Sequence, residues 1–177
     1  MAASPIFNFI ETGQFPFRSR PALKPVFLSN RNFEPHYNVS SILRAFSLIQ
    51  QQHPDAALIV VGDGSEADDL RAISVELGLK NVDFRGSVTP RDMPIVYDQA
   101  DIYLNAPSVD NMPLSVLESF SAGLPVVSTN AGGIPYILEH ERTGLLVEVN
   151  DHEALAAGAL RLLDDNEFAQ TLIVNAK

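Results

Sequence analysis

The sequence contains no cysteine. Disulfides and cysteine-based metal or redox chemistry are therefore excluded, and a reducing cytoplasm is permitted. No apolar run approaches the ~20 residues that a membrane-spanning helix needs. The opening stretch MAASPIFNFIETG lacks a basic segment followed by an apolar block, so no signal peptide is expected. Basic charge is scarce: 12 Lys and Arg against 22 Asp and Glu leave a formal charge of −10. Without a basic stripe, nonspecific binding to a nucleic-acid backbone is not expected. The acidic excess reads as a solvated surface. Any phosphate ligand must be held by a few placed groups and by backbone amides. His36, His53, His140 and His152 show no HxxxH or HxH spacing, which argues against a metal site. There is no nucleophile elbow, no Ser/His/Asp order, no internal repeat and no low-complexity segment.

What is present is the pattern of one globular domain. The chain has 177 residues, 46% apolar and 19% charged, enough to bury a real core. Residues 1–25 differ from the rest. Pro5, Pro16, Pro21 and Pro25 alternate with Phe7, Phe9, Phe15 and Phe17, which suits a linker or crossover segment whose aromatics need a surface to pack on. The domain proper is expected over residues 26–177. Strands are expected at 26–29, 57–61, 82–85, 102–105, 125–128 and 144–149. Between and after them, helices are expected at 39–52, 66–77, 90–99, 113–122, 134–140, 151–163 and 166–176. Short buried strands alternating with helices require a parallel sheet covered on both faces, an α/β architecture. Ligands of such sheets sit at the carboxyl ends of strands, near helix amino termini.

The most informative stretch lies at one such end, from Asn105 to Glu118. Pro113 suits the first turn of a helix, where its missing N–H costs nothing. The amides of Leu114 and Ser115 then point out of the helix start and form an anion site. Glu118 follows among Leu114, Val116, Leu117 and Phe120. A carboxylate on so apolar a helix needs a partner. A sugar diol would serve, and so would a local backbone or serine group. At the next strand end, Gly132 and Gly133 allow close backbone approach, or simply make a turn. Arg31, between Asn30 and Asn32, could fork onto a phosphate or be an ordinary surface arginine. Gly62-Asp63-Gly64-Ser65 lacks the spacing of a phosphate loop and reads as a tight turn.

The run PSVDNMPLSVLESFSAGLPVVSTNAGGIPYILEHERTGLLV resembles the C-terminal domain of family-4, GT-B-fold glycosyltransferases, and the likeness extends from about Asn8 to the last helix. The resemblance implies a Rossmann-like domain that binds a nucleotide-diphosphate sugar and faces a second, acceptor-binding domain across a cleft. It implies that Glu118 holds the ribose hydroxyls. Asp110 stands where the family usually has a glutamate touching the donor sugar. Asn111, Met112 and Pro113 stand where many members have Gly-aromatic-Gly. Arg31 matches a phosphate-binding arginine, and Gly86, Ser87 and Val88 match a loop whose backbone meets the base. Transfer with retention of configuration and without a metal or other cofactor is expected, with amides and cationic side chains stabilising the leaving diphosphate.

The sequence departs from the family pattern in four ways. The place of a lysine five or six residues beyond the arginine holds His36 or Tyr37. Protonated His36 is the remaining source of that charge. Asp110 is a methylene shorter than glutamate, and Tyr136 stands where a glutamate often follows GGIP. Residues from Asn8 to Phe15 resemble the interdomain linker. The chain is therefore expected to be a fragment lacking the N-terminal acceptor domain, with its last helix cut short at Lys177. A non-catalytic nucleotide-sugar-binding or partner-binding module is the alternative function.

Overall fold

The computed structural model describes residues 12–177. Phe7 and Phe9 lie outside these residues. Six strands form one sheet: β1 (Val26–Asn30), β2 (Ala57–Val61), β3 (Val82–Gly86), β4 (Ile102–Asn105), β5 (Val126–Thr129) and β6 (Leu145–Val147). Their spatial order is β3-β2-β1-β4-β5-β6, with every pairing parallel. This is the order of a doubly wound Rossmann-type sheet, as the family resemblance implies, and it is parallel throughout, as the sequence pattern requires. The helices are α1 (Val39–Gln52), α2 (Ala67–Glu76), α3 (Met93–Gln99), α4 (Leu114–Ala122), α5 (His152–Asp164) and α6 (Asn166–Ala176).

Alternation along the strands builds two cores. Phe27, Leu58, Val60, Ile102, Leu104 and Val127 point to the layer with α1, α2, α5 and α6. Leu28, Ile59, Val61, Tyr103 and Val126 point to the opposite layer, with α3 and α4. Successive residues of a strand face opposite sides, so a continuous apolar run is what a sheet covered twice demands.

Several boundaries shift for local reasons. Pro113 is not the first helical residue: its backbone is extended, with ψ 117°, and α4 begins at Leu114. The helix expected from 90 starts at Met93, because residues 89–92 close a separate turn in which Thr89 Oγ1 donates to Asp92 Oδ2 at 2.7 Å. The helix expected at 134–140 shrinks to a 3-10 turn, Ile134–Tyr136. Beyond it, the Glu139 amide turns to Thr143 Oγ1 instead of continuing the helix. Strand β5 begins after Pro125, which has no amide to donate but accepts from the Tyr103 amide at 3.0 Å. Strand β6 is shorter than expected, and Asp151 caps α5 by accepting from the Ala154 amide at 2.8 Å.

The segment before β1 finds its packing surface on this domain. Phe15 is buried edge-on against Tyr97, with ring centroids 5.4 Å apart. Arg20 is buried and donates to the carbonyls of Ala100, Ala122 and Tyr97 at 3.0, 2.7 and 3.1 Å. It thereby satisfies carbonyls at the ends of α3 and α4, where a helix has none of its own donors left. Arg18 pairs with Asp101, whose other oxygen accepts from the Lys24 amide at 2.7 Å.

Candidate functional site

The strand order reverses between β1 and β4, so their following loops diverge to opposite sides and leave a crevice at their carboxyl ends. Residues 30–32 leave β1 there, and residues 106–113 leave β4 and lead into α4. The amino terminus of α4 opens into this crevice. Pro113 supplies no side-chain cap, and the Val116 amide donates to the Pro113 carbonyl. The amides of Leu114 and Ser115 come before the first intrahelical bond. The later helix start leaves them free, as the sequence suggested, and the dipole adds positive potential.

Arg31 ties the two loops together. One of its terminal nitrogens pairs with Asp110, and the other donates to Ser115 Oγ at 3.2 Å. Its guanidinium stacks on the Tyr37 ring at 4.1 Å. Arg31 Nε is buried without a hydrogen-bond partner, as is Asn30 Oδ1 beside it. Beneath Arg31, a Cβ on Gly62 would overlap the Arg31 carbonyl oxygen, so the turn after β2 must carry glycine there. The rest of that turn serves the chain itself: Glu34 accepts from the Ser65 amide and hydroxyl at 3.1 and 2.7 Å.

The expected site residues converge unequally. Ser87 and Val88 line a cleft of about 190 Å³ with Asn30, Arg31 and Gly62. Gly86 meets the same corner through its carbonyl, which accepts from the Gly62 amide at 3.0 Å. Asp110, Ser115 and Arg31 are directly bonded. Asn111 and Leu114 are exposed, Met112 is half-buried and Pro113 is buried. The paired glycines act at one remove: a Cβ on Gly132 or Gly133 would overlap the carbonyl oxygen of Asp110 or Asn111. The Gly133 amide also donates to the Asp110 carbonyl at 2.8 Å. These glycines hold the Asp110 loop in place. His36 lies exposed, and it is Tyr37 that stacks on Arg31.

Glu118, half-buried one turn into α4, accepts from the Tyr97 hydroxyl at 2.7 Å. Its partner is thus neither a backbone group nor a serine. Burial raises the Glu118 carboxyl above its ordinary range, opposed by the Tyr97 hydrogen bond and by the charge of Arg31. Burial likewise raises Tyr97 well above its usual value, and pushes Tyr103, behind Arg31, up to about 12. Sequence reasoning missed Tyr97 and Tyr103. The available signal was a tyrosine inside an apolar helix or strand, since a buried phenol needs a partner for its hydroxyl.

A sequence model described as "Glycosyl transferases group 1" matches residues 14–177. The chain belongs to this family. It is 27% identical over 160 residues to a GDP-mannose-dependent alpha-(1-6)-phosphatidylinositol monomannoside mannosyltransferase of Mycobacterium tuberculosis, covering 86% of the chain and 42% of that protein. Among solved structures, HepE of Anabaena in complex with UDP and glucose superposes with a TM-score of 0.86 at 23% identity, covering 97% of the chain and 50% of HepE. The C-terminal domain of the group 1 family protein LpcC from Francisella tularensis superposes at 0.83 and 21% identity, covering 95% of the chain and 94% of that domain. At these identities the structures establish the fold, that of the Rossmann-like C-terminal half of a GT-B glycosyltransferase. The chain spans less than half the length of the curated relatives it matches. Among the described residues, no helix is long and apolar enough to cross a membrane.

Proposed function

We propose that this group 1 glycosyltransferase domain binds a nucleotide-diphosphate sugar in the crevice between β1 and β4. The diphosphate lies on the Leu114 and Ser115 amides and against Arg31. The ribose hydroxyls donate to Glu118. The base lies over residues 86–88, and the donor sugar extends toward Asp110 and the Asn111–Met112–Pro113 turn. Joined by residues 1–25 to an N-terminal acceptor-binding domain, the domain transfers the sugar with retention of configuration. The leaving diphosphate is stabilised by helix amides and Arg31, without a metal. The setting is cytoplasmic, with any membrane contact belonging to the acceptor-binding domain.

The carrying observation is the convergence of Arg31, Ser115 and Glu118 at the open amino terminus of α4, on the strand reversal. A cation, free amides and a desolvated carboxylate at one crevice match the three parts of a nucleoside diphosphate: charge, charge and diol. The relatives carry different bases, GDP in the mannosyltransferase and UDP in HepE, so both are tested. UDP or GDP should raise the melting temperature of the chain, since a ligand bound to the native state alone stabilises it. Glu118→Ala should remove most of that rise. No rise with UDP, GDP or ADP would sink the proposal.

A further inference from the structure

Tyr97 is fully buried, and its hydroxyl lies between Glu118 of α4 and Asn30 of β1. It donates to Glu118 Oε2 at 2.7 Å and receives a hydrogen bond from Asn30 Nδ2 at 2.9 Å. The residue is fixed at both ends. Phe15 packs edge-on against its ring, Tyr103 lies at 6.3 Å, and its backbone carbonyl accepts from buried Arg20 at 3.1 Å. Three elements thus meet at one phenol: β1 through Asn30, α3 through Tyr97 itself and α4 through Glu118.

We propose that Tyr97 is a positioning residue for ribose recognition: its hydroxyl, directed by Asn30, holds Glu118 Oε2 and leaves Oε1 to accept from a vicinal diol. This rests on the reading of Glu118 given above. A glutamate has three rotatable side-chain bonds, and a ligand that must first freeze them binds more weakly. The tyrosine freezes them beforehand. The direction of the relay matters. Asn30 donates to the phenol oxygen, and of the two acceptors left for the single phenol proton, Glu118 Oε2 at 2.7 Å lies nearer than the Ser115 carbonyl at 3.3 Å, so the proton points to the carboxylate, and chained hydrogen bonds of this kind strengthen one another. Burial holds the phenol well above its ordinary value, so it is a donor near neutral pH. Among the described residues, Arg31 from the loop after β1, Tyr97 from α3 and Tyr103 from β4 are the ionisable groups that act on Glu118. Only Tyr97 is hydrogen-bonded to it.

The test uses the 177-residue chain, with UDP and GDP and their 2′-deoxy counterparts as probes. The readout is the ratio of ribonucleotide to deoxynucleotide affinity. Tyr97→Phe keeps the ring and its packing. It should cut ribonucleotide affinity ~10-fold and leave the deoxynucleotide nearly unchanged, so the ratio collapses toward that of Glu118→Ala. The acid-side midpoint of the ratio should also move to higher pH, because the carboxylate has lost a hydrogen bond that favoured its charged form. Asn30→Asp, of the same shape, offers the phenol proton a competing acceptor and should lower the ratio in the same direction. A purely structural tyrosine would weaken both probes equally, and that outcome overturns the proposal. So does an unchanged ratio in Tyr97→Phe where Glu118→Ala abolishes it. If Glu118→Ala itself leaves the ratio intact, or neither diphosphate binds the unaltered chain, the ribose reading of Glu118 fails and takes this inference with it.

Discussion

The Arg31–Asp110 pair places an acidic group against the cation assigned to the diphosphate, and Asp110→Asn separates the two roles. Both side chains are about nine-tenths buried, 10% and 11% exposed. Asparagine keeps an oxygen that can accept from Arg31, and Arg31 keeps Ser115 and Tyr37. The stability loss is therefore that of weakening a charged hydrogen bond, about 1–3 kcal/mol. For a domain of this size that lowers the melting temperature by roughly 2–12 °C. Nucleotide affinity should move the other way. A unit negative charge ~5 Å from a phosphate, at an effective dielectric constant of ~20, repels it by about 3 kcal/mol. Screening reduces this, so the variant should bind UDP or GDP ~5–50-fold tighter. The gain should shrink as NaCl is raised. With UDP-glucose or GDP-mannose the gain should be smaller, because the sugar loses its contact with the carboxylate. Isothermal titration alongside thermal unfolding measures both effects on one sample. A variant that is less stable yet binds the diphosphate no more tightly refutes the placement of the phosphates at Arg31.

Three further perturbations test the scaffold and the carboxylate. Arg20→Met strands carbonyls at the ends of α3 and α4 and should cost ~3–5 kcal/mol, seen as a lower urea midpoint; a loss under ~1 kcal/mol would mean that water replaces the guanidinium. Burial raises Glu118, so its contribution to stability is present below the ordinary carboxylate range and is lost as pH rises through the folded value. Glu118→Gln should therefore gain stability relative to the unaltered chain near neutral pH and not at about pH 4, a difference that melting temperatures across pH will reveal or deny. Gly133→Ala forces a methyl group onto the Asn111 carbonyl and should cost ~1–3 kcal/mol of stability. It should also weaken binding of UDP-glucose or GDP-mannose more than binding of UDP or GDP alone, since the loop it displaces is the one assigned to the donor sugar.

The fold was legible because its signals are local. The β-branched run at 57–61 and the apolar spacing at 39–52 specify their elements with the bounds later found, and alternation of strands with helices leaves a parallel sheet as the solution. Boundaries failed where a side chain or proline redirected the chain, as at Thr89, Pro113 and Thr143. Glu118 was visible as a carboxylate on an apolar helix, Ser115 through its amide at a helix start and Arg31 as a cation just past a strand, while Asp110 came from the family resemblance. Their partners were not. Tyr97 and Glu118 lie 21 positions apart and Arg31 and Asp110 79 apart, and no periodicity links residues at such separations.

The sequence by itself determined an acidic, cysteine-free α/β domain with an unusual carboxylate at the start of one helix. Propensity, patterning and charge act over a few residues, and those few residues are written side by side. Only the tertiary structure decided that Glu118 rests on a tyrosine, that Arg31 is already engaged by Asp110, and that the paired glycines press against the Asp110 loop. It also showed that a buried arginine fastens the leading segment to α3 and α4. Each of these is a meeting of distant segments, for which the winding of the sheet, and not the neighbouring sequence, chooses the partner.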